Sequence, residues 1–336
     1  MMQKKHITLI ILNTILLLFI AGCGGGEVTG GDSTTPFLEG TQGLEIGFLQ
    51  GSPPKEISDI TFPFDVVVSL KNQGEHDVVT ADVRVDLMGI LPSDFGTENV
   101  KLTNVHPDAD LTSRKKDSEG NVIDAVEAYA TFPKEGTKLQ LQSDIISGNV
   151  NFVFRADVCY TYKTKATSQI CVLKNLVSVA DDAICSPTES KSIFSSGSPI
   201  EITSFRQSVV GEDKIQFSFD IVHSGFGNIF EPKTPTDTVG CPKDSSTRRS
   251  EEDKVKITIK TGIATDALKC SGIGSVTTGT LADKEIKLVN GKRTMTCTQD
   301  LPASSDRNDY EKSVDIIVDF NYLDKIDQTV LAKHIG

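Results

Sequence analysis

The sequence predicts an all-β protein made of two tandem antiparallel β-sandwich domains. Apolar and polar residues alternate with a period of two in a series of short segments, as they do along strands with one buried face. β-Branched residues are frequent in these segments, and turn-forming residues separate one segment from the next. No stretch of helical length shows the helical repeat of about 3.6 residues, so we do not expect helices to form the core.

The first domain is assigned to residues 43–185. Its strongest strand is residues 62–70, which are rich in Phe and Val, and residues 79–87 alternate cleanly. Further strands are predicted at residues 128–132, 138–145, 150–162 and 169–179. The polar run at residues 163–167 is interpreted as the bend of a hairpin.

Residues 186–198 have the composition of a linker, and the second domain is assigned to residues 199–336. A hairpin is predicted over residues 285–296, because Asn290 and Gly291 tolerate the two positive φ angles of a type I′ turn. The long polar insertion before it is interpreted as disordered at residues 245–253. Other strands are predicted at residues 200–205, 214–223, 255–260, 314–322 and 328–333.

The two halves resemble each other in sequence. Leu44-Glu-Ile in the first half matches Ile200-Glu-Ile in the second, and each opening is followed by a Phe-rich strand and a glycine turn. Each half also ends in a predicted hairpin with a Tyr near its bend, Tyr162 and Tyr322. The recurrence in the same order favours a tandem duplication over two unrelated β domains.

The N-terminal residues predict export and lipid attachment. Lys4 and Lys5 precede an apolar run at residues 7–21, which has the length of a signal-peptide core and is too short to span a bilayer. Residues 1–22 are assigned as a lipoprotein signal peptide, and Cys23 after Ile20-Ala21-Gly22 as the lipidated residue. Residues 23–42 are a predicted flexible tether, rich in Gly, Ser and Thr. An uncleaved anchor and an ordinary signal peptide are the alternatives.

The charge excludes several partners. The chain has 46 acidic and 34 basic residues, and its formal net charge is −12. Removal of residues 1–22 takes away two lysines and no acidic residue, which makes the charge −14. A chain with this negative charge is poorly suited to binding nucleic acid or anionic lipid, because both are negatively charged as well. Sugar-binding modules generally use aromatic side chains as a platform beneath the sugar. The sequence has no Trp and only 5 Tyr, which argues against carbohydrate binding.

Six cysteines remain besides Cys23, an even number that predicts three disulfides in an exported chain. A hairpin bent at residues 163–167 places Cys159 opposite Cys171, at a Cα distance of about 4.5–5.5 Å that a disulfide tolerates. Two free thiols, or a bond from one of them to Cys185, are the alternatives. The weaker preferences are Cys270–Cys297 and, for the remaining pair, Cys185–Cys241.

The polar insertion at residues 104–121 and its surroundings contain the possible metal ligands. The favoured interpretation is a solvated loop, because the acidic residues lack the spacing of a calcium-binding loop. Calcium is the alternative, with the following ligands: Asp108, Asp110, Asp117, Glu119 and Asp124. The histidines are scattered singly and the sequence contains no catalytic or nucleotide-binding motif, so we expect neither enzymatic activity nor a cofactor.

The lipidation motif, the glycine-rich tether and the Asn72-Gln73-Gly74 turn resemble those of prokaryotic cell-surface lipoproteins with tandem immunoglobulin-like modules. Residues 37–44 and the Cys159-Tyr-Thr-Tyr162 segment also resemble archaeal surface proteins. The missing Trp departs from true immunoglobulin domains. The resemblance implies a non-enzymatic interaction or structural module on the extracytoplasmic face, at the cell surface or in the periplasm, with a protein partner. The alternative is a substrate-binding or envelope-assembly subunit of a transport or secretion complex.

Overall fold

The computed structural model describes residues 35–58, 62–142, 148–232, 240–263 and 267–334. They are mostly β-strand, in several antiparallel sheets, which confirms the all-β class. The described strands are β1 (Leu44–Phe48), β2 (Glu56–Ser58), β3 (Val66–Asn72), β4 (Val83–Met88), β5 (Lys115–Lys116), β6 (Val122–Ile123), β7 (Glu127–Phe132), β8 (Asn149–Val172), β9 (Glu189–Ser190), β10 (Ile193–Ser195), β11 (Ile200–Gly211), β12 (Lys214–His223), β13 (Asn228–Phe230), β14 (Lys254–Lys260), β15 (Leu268–Cys270), β16 (Gly274–Val276), β17 (Thr280–Lys287), β18 (Lys292–Asp300) and β19 (Tyr310–Lys333).

Helical structure is short and peripheral. The described elements are α1 (Asn99–Leu102), α2 (Ser245–Glu251) and the 3₁₀ turns Thr80–Asp82, Pro92–Phe95 and Ser304–Asp306. The prediction of disorder at residues 245–253 was wrong, because α2 begins there. Asp244 caps that helix by accepting a hydrogen bond from Thr247 N. In the part of the chain that the structure describes, no helix has the length and apolar character needed to cross a membrane.

Two strands of 24 residues, β8 and β19, form the centre of the fold. They pair antiparallel over their whole length, from Asn149↔Lys333 to Val172↔Tyr310. At about 3.3 Å per residue the ribbon is about 80 Å long. The central sheet continues outward through β10 and β4 on β8, and through β14, β17 and β13 on β19. Strand β2 also joins β19, in parallel orientation.

The predicted hairpin bend at residues 163–167 was wrong, because β8 runs straight through it. Those residues keep the alternation of the strand: Thr164 and Ala166 are buried, whereas Lys165 is exposed. Neither β8 nor β19 contains Gly or Pro, so nothing interrupts the strand. The bend predicted between residues 322 and 328 was wrong for the same reason.

Two smaller sheets complete a common hydrophobic core with the ribbon. One has the order β1-β3-β7, and the other β16-β15-β18-β12-β11-β9. Tyr160 of β8 accepts a hydrogen bond from Leu44 N of the first sheet. Gln207 of the six-stranded sheet forms two hydrogen bonds with the backbone of Cys171. Its Oε1 accepts from Cys171 N at 2.8 Å, and its Nε2 donates to Cys171 O at 2.7 Å. The even-numbered side chains of the ribbon therefore face the small sheets.

The two halves share one topology. In the first half β1, β3 and β7 pair in that order and β4 pairs with β8. In the second half β11, β12 and β18 pair in that order and β14 pairs with β19. The tandem duplication stays a prediction. The described residues from Pro36 onward form one compact unit, and the division into domains at residues 186–198 stays a prediction.

The predicted Asn290-Gly291 turn has the expected backbone, with φ values of 53° and 72°. The strands on its two sides, β17 and β18, nevertheless do not pair with each other as a hairpin within one sheet. Strand β17 before the turn pairs with β14 in the central sheet, and β18 after it pairs with β12 and β15 in the six-stranded sheet. The turn therefore carries the chain from the central sheet to the six-stranded sheet.

The six cysteines form three disulfides: Cys159–Cys241, Cys171–Cys185 and Cys270–Cys297. The preferred pairing of Cys159 with Cys171 was wrong, because the two residues lie twelve positions apart in one straight strand, about 40 Å by strand geometry. The predicted pairing of Cys185 with Cys241 was also wrong, because these two cysteines are bonded to Cys171 and Cys159. The Cys270–Cys297 pairing is confirmed, since these residues lie opposite each other in β15 and β18. Three disulfides indicate an extracytoplasmic protein.

Candidate functional site

The predicted lipidation site, Cys23, lies outside the described residues, as do the signal peptide and most of the tether. His6 also lies outside them, whereas the acidic cluster, the other four histidines and the other six cysteines are described.

Four of the five acidic candidates for calcium, all except Glu119, are engaged separately with the protein through their carboxylates. Asp108 accepts a hydrogen bond from Tyr129 N, and Asp110 accepts two from Thr80. Asp117 accepts from the backbone of Glu119 and from Asn121, whose side chain is the main cause that lowers the pKa of Asp117. Asp124 forms an ion pair with Arg114 at 3.2 Å. In the described part of the chain, no three His, Cys, Asp or Glu side chains are grouped so that they could hold a metal ion.

Two histidines pack against buried tyrosines. The His76 ring packs edge-on against Tyr162 at 5.4 Å between centroids, and His223 against Tyr322 at 5.6 Å. Burial, with the charges of Lys163 and Lys165, lowers the pKa of His76 to about 4. Burial also lowers the pKa of His223. Both rings are half-buried, and burial disfavours their protonated forms, as the lowered pKa of each shows in direction.

The feature that the sequence did not indicate is the loop after β8. The Cys171–Cys185 bond closes residues 173–184, here named the disulfide loop. This loop borders a cavity of about 660 Å³ at the end of the ribbon. Glu212 in the β11–β12 turn and Ser304 and Asp309 before β19 form the other walls. The volume lies within the usual range for ligand pockets, about 300–1,000 Å³.

The disulfide loop exposes apolar side chains around this cavity. Leu173 and Leu176 line it and are buried, which fixes the loop to the core. Val177 also lines it and is 69% exposed, and Ile184 is 62% exposed. Val179 between them is 43% exposed. Single exposed apolar residues are common on protein surfaces, whereas three lie here in one cross-linked loop beside a cavity.

Arg307 fixes the walls of the cavity. Its side chain is buried, and its guanidinium makes five hydrogen bonds of 2.7–3.0 Å. The acceptors lie on three segments of the chain: the carbonyl oxygens of Leu173, Lys174, Glu212 and Pro302, and the Asp213 carboxylate. Asp309 adds a bond to Lys174 N at 2.5 Å. The planar fork of arginine is suited to such a junction, because it carries five donors in fixed directions.

The surroundings of the cavity are acidic. Glu212 and Asp309 line it, and Lys174 is the cation among the lining residues. Asp181 and Asp182 stand between the lining residues Ala180 and Ala183 and are exposed, and Asp306 is exposed two positions after Ser304. We name these five carboxylates the acidic rim. It gives the site a negative potential in a chain that is already negative overall.

The sequence did not reveal this site, because residues 169–179 predict one strand. The strand in fact ends at Val172. The available signal was the spacing of Cys171 and Cys185, which closes a short loop, together with Asn175, whose side-chain oxygen accepts from Val177 N and Ser178 N in a local turn.

Comparison with known proteins identifies no family. No protein-family model matches the chain, and no curated protein matches it either. Among solved structures, the CupB6 tip adhesin from Pseudomonas aeruginosa aligns with 88% of this chain and 98% of its own, at 8% sequence identity and a TM-score of 0.16. A TM-score of this size carries no argument about fold or function.

Proposed function

We propose that the chain is a lipid-anchored, non-enzymatic interaction module on the extracytoplasmic face of a membrane. The anchor rests on the sequence, where the apolar run at residues 7–21 leads into Ile20-Ala21-Gly22-Cys23. The three disulfides support export, because such bonds persist in oxidising compartments.

The observation that carries the interaction role is the disulfide loop with its cavity. A disulfide and the Arg307 junction hold this loop in place, and it still presents Val177 and Ile184 to solvent. A rigid apolar surface gives little to the stability of the isolated chain, but it lowers the entropic cost of binding a partner. This combination supports a binding surface displayed on a long, stable β scaffold.

The anchor is tested by Cys23→Ser. Without the thiol the lipid cannot be attached, so we expect the protein to leave the membrane fraction or to accumulate as the uncleaved precursor. Fractionation followed by intact-mass measurement distinguishes these forms from the lipidated chain. Ser33→Ala in the same tether is the control and should stay in the membrane fraction. A Cys23→Ser protein that is processed and retained like the wild type contradicts the lipid anchor.

A further inference from the structure

We infer that the cavity beside the disulfide loop binds a polypeptide segment with an apolar side chain flanked by lysine or arginine. The inference rests on the proposed function and names the class of partner for the same site. Three properties of the site carry it: its apolar lining, its acidic rim and the spread of the carboxylates.

The apolar part of the lining, on the disulfide loop, calls for an apolar side chain in the cavity. Leu173 and Leu176 form buried wall, and Val177 adds an exposed aliphatic surface beside them. A partner side chain that enters here removes both its own surface and that of Val177 from water, which is the main favourable contribution in such contacts. Because Arg307 and the disulfide already fix the walls, little ordering of the site is needed on binding.

The acidic rim selects the charge of the flanking residues. Glu212 and Asp309 line the cavity together with Lys174, and the exposed Asp181, Asp182 and Asp306 lie one or two positions from lining residues. A segment with lysine or arginine on either side of its apolar residue places positive charge over this rim. An acidic segment is repelled there, and so are nucleic acid and anionic lipid headgroups.

The spread of the carboxylates argues for an extended ligand rather than a metal ion. A hard cation needs several oxygens converging on one point. Within the described ranges no group of three or more His, Cys, Asp or Glu converges in this way. Carboxylates on separate segments beside a cavity with both apolar and polar walls instead match a chain whose charges are separated by an apolar residue.

The test measures binding of three pools of short labelled peptides to the full chain in mild detergent by fluorescence anisotropy. All pools have a random apolar centre of Val, Leu, Ile and Phe, and their flanks are lysine, serine or glutamate. We expect the lysine pool to bind most tightly, and added salt to weaken it. Val177→Asp, which puts a charge into the apolar wall, should weaken that binding by about tenfold or more. Glu212→Lys should weaken the lysine pool and strengthen the glutamate pool.

Two variants control for general effects. Val126→Asp changes a valine that is 73% exposed, like Val177, but lies before β7 away from the cavity. Glu98→Lys reverses an exposed carboxylate before α1. Both should bind the lysine pool like the wild type. Serine or glutamate peptides that bind as tightly as lysine peptides, with loss in Val177→Asp, overturn the basic partner and leave the interaction surface standing. If no pool depends on Val177, both the inference and the proposed binding surface are wrong.

Discussion

At the scale of single residues, two buried tyrosines fix the turns that follow β3 and β12. The Tyr162 hydroxyl donates to Asn72 Oδ1 at 3.0 Å and accepts from His76 N at 3.4 Å. The Tyr322 hydroxyl accepts from Gly227 N at 2.7 Å and lies 3.1 Å from His223 Nε2. Because a buried hydroxyl is costly without partners, these bonds fix both the ring and the turn.

His76 makes stability depend on pH. Burial, then Lys163 and Lys165, lower its pKa to about 4, whereas the unfolded chain titrates near its ordinary value of 6.5. The folded protein therefore takes up the proton less readily than the unfolded chain. The contribution to stability is complete above pH 6.5 and is lost as the pH falls towards 4. At pH 5 the loss should be about 1–2 kcal/mol.

The measurement is the difference in unfolding free energy between pH 7 and pH 5, from denaturant titrations. Other groups also titrate over this interval, so the comparison is with His76→Gln, in which the difference should shrink by about 1–2 kcal/mol. The absolute stability of that variant is not the readout, because it also loses the ring contact with Tyr162. An unchanged difference between the two pH values contradicts the burial of a neutral His76.

The residue scale also shows what the sequence could reveal. The repeated tyrosines were found as matching positions because they occur in order in both halves. Their hydrogen bonds to the glycine turns could not be found, since Gly74 and Tyr162 come together only when β3 and β8 pack in the fold. Arg307 was missed for the same reason, as its acceptors lie on three separate segments.

At the scale of elements, most differences between the predicted and the observed structure arise because β8 and β19 are continuous strands where the sequence predicts bends. The alternation in the sequence predicts correctly that the buried residues of β8 and β19 are at even positions. The polar residues 163–167, however, predict a bend that the structure does not have. On a strand with one solvated face, lysine and threonine are expected at alternate positions. Lys163 indeed forms an ion pair across the ribbon with Asp319 at 3.1 Å. Partner choice between distant strands leaves no such pattern, so the six-stranded sheet was not predictable.

The disulfides give a prediction at the same scale. Non-reducing peptide mapping should recover Cys159 linked to Cys241 and Cys171 linked to Cys185. The Cys159–Cys241 bond spans 82 residues and the Cys270–Cys297 bond 27. On the chain-entropy model the first stabilises by about 4.5 kcal/mol and the second by about 3.6 kcal/mol.

Two double variants test this order. Cys159→Ser with Cys241→Ser should lower the free energy of unfolding more than Cys270→Ser with Cys297→Ser, as measured with denaturant. Cys159 also packs with Phe230, Cys241 and Leu323 in a small cluster of its own, which adds to the loss. Recovery of a Cys159–Cys171 peptide would show instead that β8 bends as the sequence suggested.

At the scale of the whole molecule, the ribbon joins the two halves through its middle. The register is symmetric about Thr161↔Asn321, with Tyr160 opposite Tyr322 and Tyr162 opposite Phe320. The rings of Tyr160 and Tyr322 lie 5.6 Å apart, and those of Tyr162 and Phe320 6.1 Å. Each half therefore places its largest aromatic side chains against those of the other half.

This arrangement predicts one cooperative unfolding transition for both halves. Since β8 is paired with β19 along all its residues, unfolding of one half leaves the long strand of the other with an open edge and exposed aromatic rings. Calorimetry should accordingly give a single transition. Two glycines allow each half to be perturbed separately: a Cβ on Gly74 would lie 2.1 Å from Tyr162 Oη, and one on Gly225 would lie 2.2 Å from Tyr322 Oη.

Gly74→Ala and Gly225→Ala should each lower the temperature of that same transition, with a loss of about 1–3 kcal/mol from overpacking. Gly47→Ala is the matched control, because its Cβ would meet Ser69 Oγ at an ordinary 3.5 Å. That variant should change stability by no more than about 0.5 kcal/mol. If each tyrosine-site variant instead moves only one of two separate transitions, the halves unfold independently, as expected for the two sandwich domains inferred from the sequence. A common shift shows that the β8–β19 ribbon makes them one folding unit.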